Sequence, residues 1–200
     1  MTKKELYDIL KERFQEVLKE HQIENDHLSV SCRSLTPEEA IGKTKRTDYP
    51  ILTGKDVMIQ AEYKGFRGQA FTDAPSSFEG MLEDILQMDI EHNPHDRGIF
   101  IATVNAVMAS LGLCCGTVHC RTEGPELCAQ DMLKFLESNY PDVKRIALVG
   151  FQPSLLEMLS KSKYDVRVID LNPNNIGQIK FGICVEDGTT MKEEIRDSYA

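Results

Sequence analysis

Apolar residues recur at Leu6, Ile9, Leu10, Phe14, Val17 and Leu18, with lysines and glutamates between them. That spacing is helical and predicts an amphipathic helix over residues 3–20, ending near His21. The period then changes. Residues 28–34 alternate loosely between apolar and polar, and Val57, Ile59, Ala61 and Tyr63 stand at period two within 56–63. Residues 66–72 continue in strand character after Lys64-Gly65, a pair suited to a hairpin turn. Pro75-Ser76-Ser77 punctuates the chain and predicts a helix from Phe78 to about Met88, with Ser76 or Ser77 as N-cap. The polar break Glu91-His92-Asn93-Pro94-His95-Asp96 reads as a domain boundary.

Residues 97–111 are apolar almost all round, which predicts a buried helix stopped by Gly112. A cysteine-rich stretch spans 114–128. A further helix is expected over 125–139, with Pro125 in its first turn. Arg145-Ile146-Ala147-Leu148-Val149-Gly150 is a short apolar run ending in glycine, Pro153-Ser154 opens a helix through Leu159, and 166–170 reads as a strand. Strand, helix and strand in that order predict a parallel, covered sheet. Residues 181–185 suggest a third strand, and 190–197 a polar helix. The fold class is therefore α/β: an α+β part over 1–90 and a parallel α/β part over 91–200. Two or three strands are few for such a sheet. It is either small, completed by the N-terminal part, or covered by a second subunit.

Composition narrows the partners. Hydrophobic residues make up 41% and charged residues 28%, so both parts can carry a packed core. A net charge of −9 repels phosphodiester backbones and argues against nucleic acid. The basic cluster Lys43, Lys45 and Arg46 fits a solvated loop. The N-terminus lacks the apolar core of a secretory signal, and the apolar-rich run 98–113 is too short and polar to span a bilayer. Six cysteines without such a signal imply a reducing, cytoplasmic setting, where they serve as thiols, ligands or core filler.

Two segments could carry chemistry. In the turn Val149-Gly150-Phe151-Gln152-Pro153-Ser154, the open N-terminus of the next helix can hold an anion, and Asp170 follows at the end of the next strand. An acid there often accepts a ribose hydroxyl in dinucleotide folds. A single glycine and bulky Phe151 favour the plainer alternative, a tight turn with Asp170 ordering the loop. The second segment holds Cys114, Cys115, His119, Cys120 and Cys128. Thiolate and imidazole suit a thiophilic transition metal, although the spacing matches no CxxC knuckle and cysteine also serves as buried filler. Asn105 is expected to be a buried amide, satisfied by nearby backbone or by a ligand. His92, His95 and Asp96 fit a solvated loop better than a ligand set. Gly65-Phe66-Arg67-Gly68 with Asp73 fits a hairpin with a surface arginine better than an anion site. No Ser-His-Asp order, P-loop, HExxH or nucleophile elbow occurs.

These residues together resemble the heavy-metal chelation family. The resemblance rests on Arg67-Gly68-Gln69-Ala70-Phe71-Thr72, Phe78-Glu79-Gly80, Arg97-Gly98-Ile99 and Val104-Asn105-Ala106. It rests further on Gly116-Thr117-Val118-His119-Cys120-Arg121, Glu126-Leu127-Cys128-Ala129, Ala147-Leu148-Val149-Gly150-Phe151-Gln152-Pro153 and Val168-Ile169-Asp170-Leu171-Asn172-Pro173. It implies an enolase N-terminal-like domain, then a Rossmann-like three-layer domain with part of its sheet missing here. It implies a ligand site in the cleft between them, near Asn105, Gly150, Phe151, Asp170 and Asn172, and supports a metal at Cys115, His119, Cys120 and Cys128. The family carries no settled activity; heavy-metal handling or cobalamin-type cofactor metabolism is the implied context. Three readings follow: a protein binding a small anionic metabolite or a transition metal, a Rossmann-like group-transfer enzyme, or a structural subunit that forms a homo-oligomer through the short sheet.

Overall fold

A computed structural model describes residues 2–24, 26, 30–53, 56–117 and 119–190. The chain is a mixed α/β protein of two compact units, Met1–His119 and Cys120–Ala200.

The first unit opens with α1 (Lys3–Glu20), started by Thr2 and Glu5, which cap each other's backbone N–H groups. Strand β1 (Val30–Ser34), helix α2 (Pro37–Ile41), a 3-10 turn (Pro50–Thr53) and strands β2 (Val57–Tyr63), β3 (Phe66–Thr72) and β4 (Phe78–Gly80) follow. The unit is completed by α3 (Leu82–Gln87) and α4 (Pro94–Ser110). The sheet order is β3-β2-β1-β4, and each neighbouring pair is antiparallel. Lys64 and Gly65 both take positive φ, 52° and 79°, which the right-handed twist of a two-residue hairpin requires. The expected first helix and hairpin are found at the expected residues.

Helix α4 is buried, as its apolar composition predicts, and lies directly on β2 and β3. Small residues allow this approach. Gly98, Ala102 and Ala106 repeat every fourth position on one helix face; Gly68 of β3 meets the last two, and Gly98 faces Ile59 and Thr72. A Cβ at Gly68 would stand 2.1 Å from the Ala106 nitrogen and 2.2 Å from the Ala102 oxygen. Around this seam Phe14, Leu18, Ile59, Tyr63 and Phe100 are almost fully buried, and Phe14 meets Phe100 edge-on at 5.6 Å. Each such side chain contributes roughly 1.5–3 kcal/mol by leaving water. Thr103 is buried in the same helix with no hydrogen-bond partner for Oγ1. Thr103→Val is expected to raise stability by about 1 kcal/mol, because the hydroxyl's desolvation is uncompensated; a denaturant melt checks this.

Two expectations are corrected here. Residues 78–80 form β4, paired with β1, and α3 starts only at Leu82 with Met81 as its N-cap, so neither Ser76 nor Ser77 caps it. Ladder bonds to β1 satisfy this backbone better than a helix beginning at Phe78-Glu79-Gly80 would. The break at 91–96 is not the seam between the units. Asn93 caps α4 by accepting the His95 N–H, Pro94 occupies the first turn, and α4 stays with the first unit because it packs on that unit's sheet.

The second unit contains α5 (Gly124–Asn139), β5 (Arg145–Val149), α6 (Pro153–Ser160), β6 (Asp165–Asp170), β7 (Ile179–Lys180) and β8 (Ile183–Asp187). The order is β5-β6-β8-β7. The first three strands are parallel, as expected, and β7 runs antiparallel to β8. The third parallel strand lies later than expected, because Phe181 and Gly182, at φ 51° and 81°, form the β7–β8 turn. Leu133 and Leu136 of α5 and Leu156 and Leu159 of α6 share one cluster with Leu148, Val168 and Val185. Side chains alternate across a strand, so Arg167 and Glu186 fall on the opposite face, joined by two bonds of 2.7 and 2.8 Å. Both helices contribute to the cluster on one face of the sheet. The polar helix expected over 190–197 lies, beyond Thr190, outside the described residues, as do residues 28–29 at the head of the strand expected over 28–34. Among the described residues no helix is long and apolar enough to cross a membrane.

Candidate functional site

The carboxyl ends of β5, β6 and β8 lie side by side, the place where parallel α/β sheets bind ligands. Strand β5 ends at Val149. Gly150, at φ 89°, turns the chain, and its N–H donates to the Ile169 carbonyl at 2.7 Å. A Cβ there would meet nothing within 4 Å, so the turn is open. Phe151 follows, and Gln152 is the N-cap of α6 but makes no side-chain capping bond. Pro153 in the first turn has no N–H of its own to satisfy.

Asp170 sits beside this turn, as the sequence places it, but its carboxylate is engaged. Oδ1 accepts the Leu171 and Asn172 N–H groups at 2.7 and 3.0 Å. Oδ2 accepts Asn175 Nδ2 at 2.7 Å and the Phe151 N–H at 3.3 Å. Burial pushes this carboxyl up, and the bonds from Asn172, Asn175, Leu171 and Phe151 outweigh it, holding the group below the usual carboxylate range. Asn172 is engaged likewise, its Oδ1 accepting from the Asn174 backbone and side chain at 3.0 Å each. Asp170 and Asn172 therefore order the loop after β6. At the end of β8, Asp187 accepts from Thr189 Oγ1 and N at 2.7 and 2.8 Å, and these bonds hold its carboxyl low. The Gly188 N–H ties this turn to the Asp170 carbonyl at 3.0 Å.

A residue that sequence reasoning missed completes the site. Lys180, at the end of β7, places its ammonium 5.6 Å from the centroid of the Phe151 ring, a cation–π distance. No local pattern signals it; the β7–β8 hairpin brings it there. Its charge stands beside the β5–α6 turn and has the same sign as the helix N-terminus.

The other candidates fare differently. Asn105 is exposed rather than buried, and its Nδ2 donates to the Gln69 carbonyl at 2.8 Å, stitching α4 to β3. It belongs to the first unit, whereas Gly150, Phe151, Asp170 and Asn172 belong to the second. Cys115 is exposed, and the His119 ring lies 6.1 Å from that of Phe71. Cys120 and Cys128 are neighbours: burial first, and then Cys128, push the Cys120 thiol up. Among the described residues no three His, Cys, Asp or Glu side chains form a group able to hold a metal, so the four expected ligands are not brought together. Cys32 is core filler, its thiol pushed up by burial to about 11. His92 follows the loop reading: its N–H and ring both contact Asp89, whose own N–H reaches Asp96. Arg67 is an exposed hairpin arginine, 3.8 Å from Glu62. No protein-family model, no curated protein and no solved structure matches this chain.

Proposed function

We propose that the second unit binds a small anionic metabolite at the carboxyl end of its parallel sheet, with the charged group held at the N-terminus of α6. The observation that carries this reading is Lys180, whose ammonium stands over Phe151 beside a helix end whose N-cap, Gln152, makes no side-chain capping bond among the described residues. The ionised Asp170 and Asp187 carboxylates are bound by their own loops, so the attraction for an anion in this reading comes from Lys180 and the helix end. The acid that dinucleotide folds offer to a ribose here serves as a loop anchor. The reading keeps the site that the family resemblance implies at Gly150 and Phe151, and gives Asp170 and Asn172 the task of shaping it. A transition metal has less support, since the described cysteines and His119 form no ligand set.

Thermal melts with inorganic phosphate, a nucleoside monophosphate and a dinucleotide test this, because a ligand of the native state raises the midpoint by mass action. At least one anion is expected to raise it. Lys180→Met is expected to weaken that binding about tenfold or more, the value of a charge-assisted contact. A midpoint that no anion moves at millimolar concentration would sink the proposal.

A further inference from the structure

Cys120 and Cys128 are close for a structural reason. The chain reverses at residues 121–124, where Thr122 takes a φ of 55° and the Gly124 N–H donates to the Arg121 carbonyl at 2.8 Å. This turn lays Cys120 along the first turn of α5. A Cβ built at Gly124 would stand 3.3 Å from the Cys120 Cβ and 3.9 Å from its sulfur. Cys128 is four residues beyond Gly124, hence on the same helix face one turn on. The two thiols are therefore neighbours on this face, and after burial Cys128 helps to push the Cys120 thiol up. Cys128 is exposed and Cys120 partly so, which gives a small oxidant access.

We propose that Cys120 and Cys128 form a reversible disulfide by exchange with a low-molecular-weight disulfide. The thiolate of the exposed Cys128 attacks one oxidant sulfur, breaks the oxidant's S–S bond and releases one thiol. Cys120 then attacks the Cys128 sulfur of the mixed disulfide and releases the second. Two protein thiols lose two electrons and two protons, and one oxidant disulfide becomes two thiols. The closed bond ties the segment before α5 to the second turn of the helix. The two residues are thus a redox pair rather than half of a metal site, independently of the anion site.

The full chain, reduced and then equilibrated in oxidised and reduced glutathione, tests this by alkylation and peptide mass spectrometry. Trypsin cuts after Arg121, so the linkage appears as two joined peptides. It is expected to form at roughly tenfold less oxidised glutathione than half-modifies the exposed Cys184, because the second step is intramolecular. The linkage is expected to persist in a Cys114→Ser, Cys115→Ser double variant. It should vanish in Cys120→Ser, which instead should retain a glutathione adduct on Cys128. Separate adducts on both cysteines of the unaltered chain, or linkage of Cys128 to Cys114 or Cys115, would overturn the proposal.

Discussion

Gly68→Ala is expected to destabilise the protein by about 3 kcal/mol or more, the upper end of what overpacking costs. The added methyl would stand 2.1 and 2.2 Å from backbone atoms of α4, at Ala106 and Ala102, and 2.7 Å from the Asn105 carbonyl carbon. Backbone cannot swing aside as a side chain can. The helix must lift from β3, and the bond from Asn105 Nδ2 to the Gln69 carbonyl goes with it. Gly65→Ala is the control. No atom lies within 4 Å of a Cβ there, and its φ of 79° leaves only the conformational cost, about 1 kcal/mol. Urea melts of the two variants should separate sharply. Equal losses would mean that the close contact of α4 with β3 is wrong.

Asp170→Ala is expected to cost about 2–3 kcal/mol and to lower the unfolding midpoint. It leaves the N–H groups of Phe151, Leu171 and Asn172 and the Asn175 amide without their shared acceptor. The site is only part-buried, so water recovers some of that loss. A pure ligand contact would behave otherwise, because its removal spares the fold. The pH dependence follows from the depressed carboxyl. A group whose folded pKa lies below its unfolded value stabilises the fold above the unfolded pKa, about 4. That contribution is lost as pH falls below 4 through the depressed folded value. Asp170→Asn should therefore lose stability at neutral pH and show a flatter acid limb than the unaltered chain. An unchanged limb would mean that the loop bonds do not depend on the charge.

Much of the fold was legible because its signals are local. The helical stripe from Leu6 to Leu18, the Lys64-Gly65 turn, the apolar α4 and the β5-α6-β6 order each depend on residues a few positions apart. The misses depend on distant partners. Strand β4 is too short to show a period, and what makes it a strand is the edge of β1. Pro75-Ser76-Ser77 meanwhile imitates a helix start. The seam between the units falls after α4, because Gly68, far back in the chain, receives that helix. The site divides the same way. The β5–α6 turn and Asp170 are visible by position, and the loop-ordering role of Asp170 is the alternative that the single glycine and bulky Phe151 favour. Lys180 was invisible, because only the hairpin at Phe181-Gly182 delivers it to Phe151.

The most direct measurement is an amide correlation spectrum of the labelled full chain, titrated with a nucleoside monophosphate and, separately, with inorganic phosphate. Binding at the α6 end of the second sheet should move the amides of Gly150, Phe151, Gln152, Leu155 and Lys180 in proportion to occupancy, and Lys180→Met should reduce those shifts. Spectra that stay unmoved at these residues, or that move only around Asn105 and His119 in the first unit, would contradict it.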